Sequence, residues 1–125
     1  MHRCLIALLF LPLCAAAEPT ELWAKGVSEQ TGWYDYNKTF DGSDNEQCWA
    51  ITAANLINWW QNQQADKLPP DTPRGDEVVR RFVSSFTNAG SDPDEGINWW
   101  FTGEYHPGRP DCAARKPDAP GAYLK

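Results

Sequence analysis

The sequence predicts an α+β chain in which helix dominates. Two long runs place apolar residues at three-and-four spacing, Trp49 to Trp60 and Val78 to Phe86, and a third segment opens with the capping signal Asp92-Pro93-Asp94-Glu95. Against these stands one extended aromatic stretch, residues 32–39, rich in β-formers. Seven tryptophans in 125 residues are far more than a linker carries, so the chain packs or binds through aromatic surface.

Residues 1–17 read as a cleavable signal peptide. His2 and Arg3 form a short positive n-region, residues 4–14 are apolar, and Ala15-Ala16-Ala17 offers an Ala-x-Ala cleavage site before Glu18. The apolar span is too short for a membrane helix. The expected location is secreted or periplasmic, with no membrane association after cleavage. Losing Arg3 takes the formal net charge from −6 to −7, and no basic run remains. That balance argues against nucleic acid and anionic membrane partners.

The segment after the leader has Leu22, Trp23 and Val27 as its sizeable apolar residues, with strand-like character around residues 22–25. Residues 32–39 follow as an extended piece, and Asp41-Gly42-Ser43-Asp44 supplies a turn. From Glu46 to about Gln64, Trp49, Thr52, Ala53, Leu56, Trp59 and Trp60 keep helical phase over four turns, and Pro69-Pro70 bars continuation. The second helix is signalled by Asp71-Thr72-Pro73, continues through Val78, Val79, Phe82, Val83 and Phe86, and ends at residues 88–90. The third is a short helical or mixed segment, residues 96–101, closed by Gly103. Residues 107–125 are rich in proline and glycine and are expected to form a disordered tail, leaving 18–106 as the folded unit. No internal repeat is present.

Chemistry concentrates at Cys48. It stands at the start of the first helix, behind the capping-type cluster Ser43-Asp44-Asn45, where unpaired amides and the positive end of the helix dipole favour a nucleophilic sulfur. Thiol catalysis also needs oxyanion donors and a base. The Cys48 amide is one candidate donor. Lys38 is the other, being the only cation between Lys25 and Lys67. After leader removal the sole histidine is His106, in a Tyr-His-Pro-Gly turn, and it reads as a solvated loop residue. Two distant cysteines, one histidine and scattered acids lack metal-ligand spacing, so neither metal nor cofactor is expected. Trp59-Trp60 and Trp99-Trp100 read as core aromatics before a sugar-stacking platform, and Asp92, Asp94 and Glu95 as a helix start before a calcium loop.

The run Gly32-Trp33-Tyr34-Asp35-Tyr36-Asn37-Lys38-Thr39, the ten residues from Lys38 to Cys48, and the later Trp59-Trp60-Gln61-Asn62-Gln63 resemble the N-terminal part of the Mac/IdeS group. These are secreted bacterial immunoglobulin-degrading cysteine endopeptidases with a papain-like fold. The resemblance covers about residues 30–64. It implies that Cys48 is the nucleophile, that Lys38 helps form the oxyanion hole, and that the substrate is protein, immunoglobulin in the family. It also implies the mainly helical N-terminal half of a papain-like cysteine protease fold, lacking the β-rich half. The family's histidine and acidic partners lie far downstream, and His106 does not match them. The expectation is a truncated protein, weakly active or inactive alone. A reading of another class is a secreted non-catalytic binding module for a host protein or glycan, with a Cys48–Cys112 disulfide; one piece of a split gene is a third.

Overall fold

The computed structural model describes residues 28–36, 38 and 45–123. The signal peptide, the strand-like stretch at 22–25 and Ser43-Asp44 of the capping cluster lie outside the described residues. Within them are three α-helices, α1 (Cys48–Gln63), α2 (Asp76–Ser85) and α3 (Pro93–Thr102), after a 3₁₀ turn at Glu29–Thr31. The only β-pairing among the described residues is an isolated antiparallel bridge between Phe86 and Arg115.

Helix α1 packs against both α2 and α3, so its buried arc is wide. Ala50, Ala53, Ala54 and Ile57 line that arc, and their small side chains let the neighbouring helices approach. The periodicity had placed Thr52 and Leu56 inward, but both are exposed. Two polar residues take the inner positions instead. Asn58 donates to Gly75 O at 3.2 Å and accepts from Gly75 N at 2.6 Å, while Gln61 donates to Pro73 O at 3.0 Å. Asn58 is satisfied at both ends of its amide, whereas Gln61 Oε1 is buried without a partner, and together the two tie α1 to the turn before α2.

That turn corrects the expected start of α2. Thr72 N bonds Pro69 O at 3.1 Å, and the helix begins only after Gly75, whose φ of +57° is in the left-handed region. Asp76 and Glu77 occupy the first turn, where the helix dipole favours acids. α3 is longer than expected, a full ten residues from Pro93 to the left-handed Gly103. Its reciprocal capping bond does not form. Glu95 Oε2 instead accepts the His106 amide at 2.9 Å.

The core between the helices is aromatic. Phe82 is fully buried, with Trp99 at 5.0 Å, Trp49 at 5.8 Å edge-on, Trp100 at 6.0 Å and Phe86 at 6.2 Å between ring centroids. Trp99 and Trp100 are fully buried, as core aromatics should be. Trp59 and Trp60 are only half-buried and, with Leu56, Ile97 and Phe101, line an apolar cleft of about 200 Å³ between α1 and α3.

Residues 107–123, expected as a tail, run back across α2 and α3. Thr87 N bonds Ala114 O at 2.9 Å, Ala113 N bonds Gly90 O at 2.8 Å and Lys116 N bonds Ser85 O at 2.8 Å. Tyr123 then covers Trp100 at 4.3 Å, and its amide bonds Trp100 O at 2.9 Å.

Burial lifts the phenols of Tyr34, Tyr105 and Tyr123 above their ordinary value, with Tyr34 raised further by its hydrogen bond to Asp76 and that carboxylate's charge. The folded state holds these phenols protonated, so once pH passes the unfolded value of about 10 the unfolded chain ionises first: their contribution is intact below about pH 10 and is lost as pH rises above that. Unfolding midpoints in urea should therefore hold up to about pH 9.5 and fall beyond pH 10. A flat profile to pH 11 would contradict it.

Candidate active site

Cys48 is the first residue of α1. The N-cap is Gln47, not a residue of the expected Ser-Asp-Asn cluster, and its side chain makes no cap bond. The first amides of the helix, that of Cys48 among them, have no intrahelical acceptor and face outward with the positive end of the dipole. The thiol of Cys48 is exposed at that end.

Lys38 reaches it from the side. The extended segment before Lys38 is laid along α1 by three amide side chains. Gln63 donates to Thr31 O at 2.6 Å, Asn62 to Gly32 O at 2.7 Å, and Asn55 accepts from Tyr36 N at 3.2 Å while donating to Asp35 at 3.3 Å. Asn55 and Asn62 lie seven residues apart, two turns on one face of the helix. At the end of this track, Lys38 Nζ donates to Asn45 O at 2.6 Å and stands 3.8 Å from Cys48 Sγ. The two residues singled out in the sequence are thus brought together.

Behind the sulfur is a clamp that sequence reasoning missed. Gln47 is buried and its Nε2 donates to Thr87 O at 3.0 Å and Phe86 O at 3.4 Å. On either side, Glu46 N donates to Asn88 Oδ1 at 2.9 Å and Trp49 Nε1 to Ala89 O at 3.0 Å. Glu46, Gln47 and Trp49, which flank Cys48, are therefore bonded to residues 86–89. The contacts span about forty positions, and no local pattern announces them; the polar run Asn45-Glu46-Gln47 before an apolar helix is the only trace. Gln47 Oε1 is buried without a partner, because two carbonyls already fix which end of the amide faces the chain.

His106 is exposed, its Nε2 3.6 Å from Glu104 Oε2. Among the described residues no histidine or carboxylate hydrogen-bonds Cys48 Sγ, and no cluster of histidine, cysteine and acidic residues could hold a metal. Cys48 and Cys112 are both free thiols, so the disulfide of the binding-module reading is not formed. The Lys38 ammonium beside the Cys48 thiol and the helix-start amides next to it are groups of the kind that hold an anion.

No curated protein and no solved structure matches the chain. A family model does, that of Mac 1 (Mac-1), over residues 22–86. The matched stretch contains Lys38, Cys48, the whole of α1 and α2, and Glu46, Gln47, Trp49 and Phe86 of the clamp, while Thr87, Asn88, Ala89, α3 and the returning segment lie beyond it. Spanning more than half of the 125 residues and carrying both members of the lysine–cysteine pair, this match shows that the chain belongs to the Mac-1 family.

Proposed function

We propose that the protein is of the cysteine endopeptidase type, with Cys48 as nucleophile and Lys38 as an oxyanion-hole donor. The observation that carries this reading is the placement of Lys38 Nζ 3.8 Å from Cys48 Sγ at the exposed start of α1. The sulfur attacks a peptide carbonyl. Negative charge then develops on the carbonyl oxygen, within reach of the Cys48 amide and the lysine ammonium, donors of the kind that stabilise a tetrahedral intermediate. The three helices correspond in this reading to the helical half of a papain-like fold. The substrate is a secreted or periplasmic encounter with protein, immunoglobulin by family resemblance, and residues 1–17 export the chain.

Expulsion of the amine needs a group that first takes the thiol proton and then returns it to the leaving nitrogen, and among the described residues no histidine or carboxylate bonds Sγ. Removing the base from a nucleophile–base pair costs on the order of 10⁴ in rate. The protein alone is accordingly weakly active or inactive on peptide bonds. An activated ester separates the two halves of the reaction, because its leaving group departs without a proton. With a blocked amino-acid p-nitrophenyl ester, one equivalent of p-nitrophenol should be released per chain in a burst and the acyl group should map to Cys48. Cys48→Ala should abolish the burst, and Lys38→Met should slow it about 10²-fold, the usual effect of losing one oxyanion donor. No burst, or a burst indifferent to Lys38, would overturn the assignment. On immunoglobulin the same chain should give no multiple-turnover cleavage; turnover sensitive to Cys48→Ala would show that a base is present after all.

A further inference from the structure

We infer that Lys38 and Cys48 form a redox-sensitive covalent pair, in which peroxide oxidation of the thiol leads to a sulfur–nitrogen bond between the two side chains. The Cys48 thiol is exposed and open to a small oxidant. Lys38 Nζ lies 3.8 Å from the sulfur, and the Asn45 carbonyl 2.6 Å away holds it there. Nitrogen is thus placed beside sulfur before any oxidation occurs.

The chemistry balances with hydrogen peroxide as the named oxidant. In the first step the Cys48 thiol and one peroxide give the sulfenic acid and one water. In the second, Nζ releases a proton and its lone pair attacks the sulfur; the S–O bond breaks and hydroxide leaves, combining with the released proton as a second water. Sulfur goes up by one two-electron step, peroxide down by the same, and the protein loses two hydrogens. A sulfenic acid is known to condense with nitrogen as well as with thiols. Closing the gap to bonding distance needs a shift of about 2 Å, within the reach of a lysine's four-carbon stem. The Asn45 bond is given up in exchange. A thiol reductant reverses the change by attacking sulfur and releasing the amine.

The regulatory meaning rests on the proposed function: one bond would remove the nucleophile and the oxyanion cation together. The bond itself does not depend on that reading. The test uses the full chain carrying Cys4→Ser and Cys14→Ser, so that Cys48 and Cys112 are its only thiols, treated with an equivalent of hydrogen peroxide and followed by intact mass and peptide mapping. The expected product is lighter by about 2 Da, carries a joined Lys38–Cys48 peptide, and returns to the starting mass with dithiothreitol. A Cys48–Cys112 disulfide would have the same mass, so the map, and the same mass loss in Cys112→Ala, must identify lysine as the partner. In Lys38→Leu, whose side chain peroxide does not oxidise, the 2 Da loss should vanish and oxygen additions of about 16 and 32 Da mapping to Cys48 should replace it. A loss that persists in Lys38→Leu, a map showing Cys48 joined to Cys112, or stepwise oxygen addition at Cys48 in the chain with Lys38 intact would each overturn the inference. Mass reads the bond and the ester burst reads the acyl chemistry, so either can fail while the other stands.

Discussion

Phe82→Ala is expected to lower the stability of the protein by about 3–5 kcal/mol, the range for truncating a fully buried aromatic. Phe82 is fully buried and sits among four other aromatic rings, three of them tryptophans from α1 and α3. Large rigid rings collapse poorly into a hole, so the cavity term adds to the lost transfer energy. A domain of this size has on the order of 5–15 kcal/mol in total, and the variant should unfold at a much lower urea midpoint with little change in slope. The damage should also reach the site, since Phe82 packs on Trp49 and Trp49 is one of the residues clamping the start of α1. Leu56→Ala is the contrasting case. Helical phase puts Leu56 inside, but it is 45% exposed, and its truncation should cost less than half as much. Equal losses from the two substitutions would mean that the wrong face of α1 has been taken as buried.

That contrast marks how far the fold could be read from the sequence. The existence of α1 and its end near Gln64 followed from apolar spacing, and α3 from proline and glycine at its two ends. What spacing does not resolve is which of two apolar arcs faces inward. α1 carries Thr52, Leu56 and Trp59 on one arc and Ala50, Ala53, Ala54 and Ile57 on the next. The second is chosen because small residues permit close helix packing, and because Asn58 and Gln61, which look like surface residues, find backbone partners in the 73–75 turn. Residues 107–123 were illegible for a related reason. They are positioned by single contacts, Ala113 and Tyr123 with a few backbone bonds, and no periodic pattern records such packing.

The site was legible in its chemistry and not in its support. Lys38 and Cys48 could be paired from a spacing and a resemblance, and they stand 3.8 Å apart. The residues that hold them were silent, because each is an ordinary polar side chain whose partner is a distant backbone group: Asn55 and Asn62 for the extended segment before the lysine, Gln47 and Asn88 for the helix start. Backbone groups accept from any amide of suitable reach, so residue identity alone does not reveal the partner.

Gly96→Val should be about as harmful as a large core truncation, by the opposite mechanism. Gly96 lies in the second turn of α3, where glycine costs about 1 kcal/mol relative to alanine, so a structural reason must outweigh propensity. That reason is space. A Cβ at this position would meet Trp49 Cζ3 at 2.9 Å, Ala53 Cβ at 3.1 Å and Phe82 Cε1 at 3.1 Å, contacts from three sides at once. None of the three can yield easily: Ala53 moves only with the α1 backbone, Phe82 is walled in by rings, and Trp49 is pinned through its indole N–H to Ala89 O at 3.0 Å. Valine adds two further methyls and a stiff branched side chain, so the loss should be about 3 kcal/mol, with α3 displaced from α1. Because Trp49 follows Cys48 directly, displacing its ring also disturbs the turn that presents the sulfur to Lys38. The ester burst of Gly96→Val should therefore be slowed even at low temperature, where the variant remains folded by circular dichroism. A burst of native rate in a folded variant would show that the helix start is held by the Gln47 and Asn88 bonds alone, without the tryptophan.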